Sequence, residues 1–284
     1  MARRYVHSEP TSRLAIWARR MAGFAFVASF LAVIVVRSGL LEIQPALATF
    51  GGALVIAAIA LILAVAAFVV IWLEGLGGMG AALTAMLVSL ALLAYPAYLG
   101  MKAYRLPWIY DITTDPIDPP RYEALARVRP RDANPVAYAG LYAAEQQRTA
   151  YPDIGPLGAA ATPQAAYDAA FAIVNKRRWR VVEARAPQAG RREGRIEAVA
   201  RTPVMGFRDD IVVRVRPEGS DGSRIDVRSS SRYGTFDFGA NASRIRSLLD
   251  DVEEAITAQK AVRQPAPPTG KKTAPPPGKK DKRS

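Results

Sequence analysis

Cysteine is absent and histidine occurs once, as His7. Without cysteine the chain can build no disulfide, thiolate zinc site, iron–sulfur cluster or cysteine nucleophile. With one histidine near the start, a Ser-His-Asp triad or a histidine metal cluster has no material. The G-x-S-x-G, P-loop and G-x-G-x-x-G patterns are missing as well. Acidic charge is scarce: 25 Asp and Glu against 38 Lys and Arg leave a net charge of +13.

That imbalance lies at the ends. Residues 1–20 carry +4 and residues 263–284 carry +6, whereas residues 106–262 hold 23 basic and 21 acidic side chains. A strongly basic chain raises nucleic acid as a partner. Here the part able to fold is nearly neutral, which argues against nucleic acid. No cofactor is implied by any motif.

What is present in abundance is apolar sequence. Met21–Val36 runs 16 residues without a charge, Pro45–Leu73 runs 29 and Gly75–Met101 runs 27. A helix needs about 20 apolar residues to cross a hydrocarbon core of about 30 Å. The second and third runs exceed that, and the first reaches it if Arg37 snorkels to the interface. Trp17, Trp72, Tyr95, Tyr98 and Trp108 fall near the expected span ends, where amphipathic rings collect. The first run also fits a cleaved signal peptide. Three retained spans are favoured, because no small-x-small site leads into a polar mature start and two more spans follow. Only Glu74 separates the second and third spans, which predicts a tight hairpin. No acid, His or Lys lies inside either, which argues against an ion or proton pathway.

Orientation follows from the basic flanks. Arg3, Arg4, Arg13, Arg19 and Arg20 precede the first span, Arg37 alone stands in the first loop and no basic residue in the second. This predicts a cytoplasmic N-terminus in a bacterial inner membrane, with residues 106–284 periplasmic or otherwise extracytoplasmic. Lys102 and Arg105 pull weakly the other way.

Residues 106–152 read as a Pro-rich connector, in which Asp111, Asp115 and Asp118 are expected to be solvated turn formers rather than a calcium loop, with a short helix within 138–150. A soluble domain is expected over 153–262. Thr162 caps and Pro163 opens a helix. Strands are expected from Trp179, over 195–201, over 210–216 and over 224–231, on alternation of apolar and polar residues. Glu218–Gly222 forms a turn. A helix over about 241–259 carries a stripe of Ile245, Leu248, Leu249, Val252 and Ile256. The fold class is α+β: three N-terminal transmembrane helices, then a small antiparallel sheet in the order α-β-β-β-β-α with its helices on one face. Residues 263–284, rich in Pro and Lys, are expected to be a disordered basic tail.

One polar constellation stands out. Arg201 and Asp210 flank the central hairpin on one side, and Arg228, Ser231, Arg232, Asp237 and Asn241 on the other. Asp210 and Arg228–Arg232 should meet at one end of the sheet, and Asp237 and Asn241 stand where the last helix starts, a place that attracts anions. Two readings stay open: a site for an anionic ligand, or an ion-pair and capping network that orders a long loop. The structural reading is preferred.

Asp111-Ile112-Thr113-Thr114-Asp115, Tyr151-Pro152-Asp153-Ile154, Gly206–Val215, Ser231-Arg232 and Gly239–Arg246 occur in that order. Together they resemble the bacterial family called domain of unknown function 1499, over about residues 106–258. The resemblance implies an envelope protein, often membrane-attached, and supplies no catalytic residue. The leading expectation is a membrane-anchored extracytoplasmic binding or scaffolding module. Its partners would be the lipid bilayer and either another envelope protein or an anionic ligand. The alternative is an envelope hydrolase using Asp209, Asp210 or Asp237 as general base or metal ligands. Adjacent Asp209 and Asp210 would point to opposite faces of a strand, which weakens it.

Overall fold

The structure, a computed structural model, describes residues 10–39, 43–188 and 193–263. The expected disordered tail lies outside the described residues from 264 onward, as do His7 and the first arginines.

Three helices come first: α1 (Arg13–Ser38), α2 (Ile43–Glu74) and α3 (Met79–Arg105). All three are long and apolar enough to cross a membrane. Helix α1 starts eight residues before its uncharged run, so Arg13, Arg19 and Arg20 belong to its first turns. Leu, Phe and Val face outward while alanine faces inward. Ala15, Ala18 and Ala22 of α1, Ala60, Ala64 and Ala67 of α2, and Ala82 and Ala85 of α3 are essentially inaccessible. Such small side chains let helix backbones approach closely where lipid supplies no hydrophobic drive. The turn joining α2 to α3 is pinned to the start of α1: Ser12 donates to the Gly77 carbonyl at 3.0 Å and Gly77 to that of Pro10 at 3.2 Å. The up-down-up course leaves the C-terminal ends of α1 and α3 together at the opposite end.

The remaining chain contributes β1 (Asp111–Thr113), α4 (Ala124–Val128), α5 (Leu141–Ala150), β2 (Leu157–Ala159), α6 (Pro163–Lys176), β3 (Arg180–Arg185), β4 (Gly194–Arg201), β5 (Arg208–Glu218), β6 (Gly222–Ser231) and α7 (Ala240–Arg263). Thr162 Oγ1 accepts the Ala165 N–H at 3.3 Å and Pro163 opens α6, as the sequence predicts. All strands pair antiparallel in the order β1-β6-β5-β4-β3. The sheet has six strands because two short ones share the free edge of β6. β1 pairs with Arg228–Ser230 and β2 with Ser223–Ile225. The segment read as a connector thus builds part of the sheet.

One sheet face is apolar. Ile196, Ala198, Ile211, Val213, Val215, Ile225 and Val227 pack against α6 and against Ile245, Leu248 and Val252 of α7. The opposite face is covered as well. Tyr122 and Leu125 close over Val199 and Val212, and the chain from 114 to 137 buries Glu197, Asp210, Arg214, Asp226 and Arg228 beneath it. Charges there survive burial because they are paired, as an isolated buried charge is prohibitive. Both Glu197 oxygens accept backbone N–H groups, of Glu123 and Leu125, at 2.8 Å, which fastens the start of α4 to the sheet.

Candidate functional site

The strand register decides where the predicted residues meet. Asp209 stands opposite Ser231 and Asp210 opposite Ser230, so successive side chains pass to opposite faces. The single constellation read from the sequence is consequently two networks set back to back.

On the charged face, Asp210 Oδ1 accepts Arg232 Nε at 2.8 Å, with Nη2 at 2.7 Å, and Arg129 Nε lies 3.3 Å from Oδ2. Next to them Arg228 grips Asp111 with two donors, Nε to Oδ1 at 3.0 Å and Nη2 to Oδ2 at 2.6 Å. Arg228 also donates to the carbonyls of Pro120 and Val136 and lies over the rings of Tyr122 and Tyr138, at 4.6 and 5.5 Å. Burial works against the Arg228 charge, yet Asp111 and the two tyrosines leave its guanidinium more firmly protonated than usual. Asp111 is therefore not a solvated turn former. It is 1% exposed and neutralises Arg228, which is itself 2% exposed. Asp115 does form a turn, accepting the N–H groups of Ile117 and Asp118, and also binds Arg224 at 3.0 Å.

On the helix-covered face, Asp209 pairs with Arg244 of α7. Asn241 is the hub: Oδ1 accepts Ser229 Oγ at 2.7 Å, and Nδ2 donates to Ser231 Oγ and the Tyr110 carbonyl at 2.9 Å. Asp237 accepts the N–H groups of Gly239 and Asn241 at 2.8 Å each, capping the start of α7. The dipole end that could hold an external anion is thus occupied by an internal carboxylate. Burial pushes the Asp209, Asp210 and Asp237 carboxyls up, against the pull of Arg244, Arg232 and the backbone N–H groups respectively.

Six of the seven predicted residues, Asp210, Arg228, Ser231, Arg232, Asp237 and Asn241, join these networks. Arg201 does not. It is exposed, and its Nη1 reaches the Arg37 carbonyl at the end of α1, at 3.4 Å. Sequence reasoning missed Arg129, Ser229 and Asn134, whose Nδ2 donates to the carbonyls of Ser231 and Gly234 at 3.0 and 2.7 Å, and missed Asp111 as a partner for Arg228. Asp111 and Arg228 are 117 positions apart, and no periodicity connects them. Chemically, the networks tie β1, β6, α7 and the covering segment together. Each arginine charge is met by a carboxylate of the protein, so an anionic ligand would have to displace one. Among the described residues, no group of three His, Asp or Glu could hold a metal ion.

The family model described as "Protein of unknown function (DUF1499)" matches residues 111–252, half of the chain. No curated protein sequence matches significantly. Among solved structures, the crystal structure of TTHA0849 from Thermus thermophilus matches at 16% identity and a TM-score of 0.22, covering 37% of this chain and 96% of that one. A likeness that loose bears on neither fold nor role.

Proposed function

The chain belongs to the DUF1499 family, and from that premise we propose that it is a membrane-anchored extracytoplasmic module of the bacterial envelope that binds or scaffolds rather than catalyses. The observation that carries this reading is the seat of the sheet domain on the helix bundle. It follows α3 directly, and it is also held by α1, whose Arg37 Nη1 donates to the carbonyls of Pro203 and Val204 at 2.6 and 3.0 Å. Gly206 makes the approach possible. Its φ is +71°, and a Cβ there would meet Arg37 Cγ at 2.9 Å. A domain seated on the ends of both α1 and α3 lies across the bilayer from the start of α1. The arginines before the first apolar run favour a cytoplasmic start.

The hydrolase alternative gains nothing from the geometry. Asp209 and Asp210 face opposite sides of the sheet, each against an arginine, and Asp237 is committed to the first N–H groups of α7. A topology reporter tests the proposal. Alkaline phosphatase fused after Gln259 should be active in a bacterial host. An inactive phosphatase, with an active cytoplasmic reporter at the same point, overturns it.

A further inference from the structure

Four arginines at the membrane end of the domain stand outside the paired networks. Arg201 and Arg208 are direct cross-strand partners on β4 and β5, and like charges so placed destabilise a sheet. Arg180 begins the neighbouring strand β3 and faces the same way. Arg37 closes the group from the last turn of α1. Arg37, Arg180 and Arg201 are exposed and Arg208 is half-buried. Among the described residues, no carboxylate pairs with any of the four. Burial, together with the charges of Arg201, Arg232 and Arg180, holds the Arg208 guanidinium below its ordinary value.

Part of this charge serves the helix. Arg201 donates to the Arg37 carbonyl, and Arg208 Nη2 lies 3.0 Å from where a Cβ on Gly39 would sit. A helix C-terminus offers only about half an elementary negative charge, so four cations exceed it several-fold. Depth is set by α1. Its uncharged run of 16 residues spans about 24 Å, so Arg37 lies at the edge of the hydrocarbon. The strand arginines that touch the end of α1 therefore lie in the headgroup layer. Beside them Val204 is 39% exposed at the tip of the β4–β5 turn, an apolar residue between basic ones.

We propose that Arg37, Arg180, Arg201 and Arg208 form a binding site for the phosphate-bearing headgroups of anionic phospholipids, at the junction of α1 with the sheet. Guanidinium forks match phosphate oxygens two at a time, and basic clusters beside membrane helices select anionic lipid. The site requires only that the helices span a bilayer, and it holds whichever side the domain occupies. Failure of the topology test and failure of this one are therefore separate results.

The test uses the full chain in mild detergent, titrated with phosphatidylglycerol or phosphatidylcholine, with bound lipid counted by native mass spectrometry. Wild type should prefer phosphatidylglycerol by at least about tenfold. In Arg180→Gln/Arg201→Gln/Arg208→Gln the ratio should fall to near one. Arg127→Gln/Arg131→Gln/Arg148→Gln, an equal charge change elsewhere, should keep it. Without lipid the first triple variant should melt no lower than wild type, since repulsion is relieved. If it melts lower, the exposed Arg201→Gln alone must cut the ratio by at least about twofold. An unchanged ratio in the arginine variants, or an equal loss in the control, overturns the proposal. So does a melting point raised as much by inorganic phosphate as by phosphatidylglycerol.

Discussion

Replacing Asp111 by alanine removes the carboxylate from the buried pair with Arg228 and leaves the guanidinium in place. Both side chains are at most 2% exposed, so water cannot take over as partner. Removing one member of such a pair typically costs about 3–5 kcal/mol, because the survivor is an uncompensated buried charge. Arg228 keeps two carbonyl acceptors and two tyrosine faces, and a desolvated cation gains about 2 kcal/mol from a well-placed ring. That places the expected loss near the lower end, about 3 kcal/mol. For a domain of some 150 residues this is a fall in melting temperature of about 6–12 °C. The assay is a thermal melt of the full chain in detergent, followed by tryptophan fluorescence. The companion variant Asp111→Ala/Arg228→Leu removes both charges and should melt at or above Asp111→Ala, since the cost lies in the orphaned charge. A single-variant melt within about 2 °C of wild type, or a double-variant loss equal to the sum of the two singles, would refute the reasoning.

Three further outcomes can be checked on the same preparation. Leu248→Ala should cost about 2–5 kcal/mol, and Leu249→Ala clearly less, because Leu248 is 1% exposed and Leu249 only partly covered; equal losses would mean that the stripe is rotated. Gly206→Ala, at a positive φ against Arg37, should lower stability by about 1 kcal/mol or more and speed proteolysis within 202–207; an unchanged cleavage rate would show that the turn does not depend on that contact. Burial alone would raise the Asp115 carboxyl, but the N–H groups of Asp118 and Ile117 and the Arg224 charge outweigh it and hold it below its ordinary value. A depressed folded-state pKa gives stability present above about pH 4 and lost as pH falls through the folded value. Asp115→Asn removes that acid-side loss, so at equal stability near neutral pH its acid unfolding should be less steep and shift to lower pH, and an unaltered profile counts against the assignment.

The sequence revealed the parts that repeat. Three uncharged runs, the Thr162-Pro163 start and the alternation in β4, β5 and β6 each follow one helix or strand period. It hid β1 and β2, three residues each, too short to show a period and set among prolines. It also misrepresented the second face of the sheet. Glu197, Arg214, Asp226 and Arg228 alternate with apolar residues as a solvated face would, yet a polar pattern says nothing about what lies over it. At the candidate site the register made the meeting of Asp210 with Arg232 legible. The partner of Arg228 was not legible, because long-range ion pairs leave no local trace. Arg201, grouped with the others by nearness in sequence, belongs with the end of α1.

The hold of Arg37 on the β4–β5 turn has a mechanical consequence. A domain joined to a membrane by one tether can swivel about it. Here α3 supplies the covalent tether and Arg37 a second anchor, and two separated anchors leave only rocking about the line between them. The sheet therefore takes its tilt from the helices. A bilayer that thickens or thins changes helix tilt, and any change of α1 relative to α3 reaches the loop 202–207 as a torque.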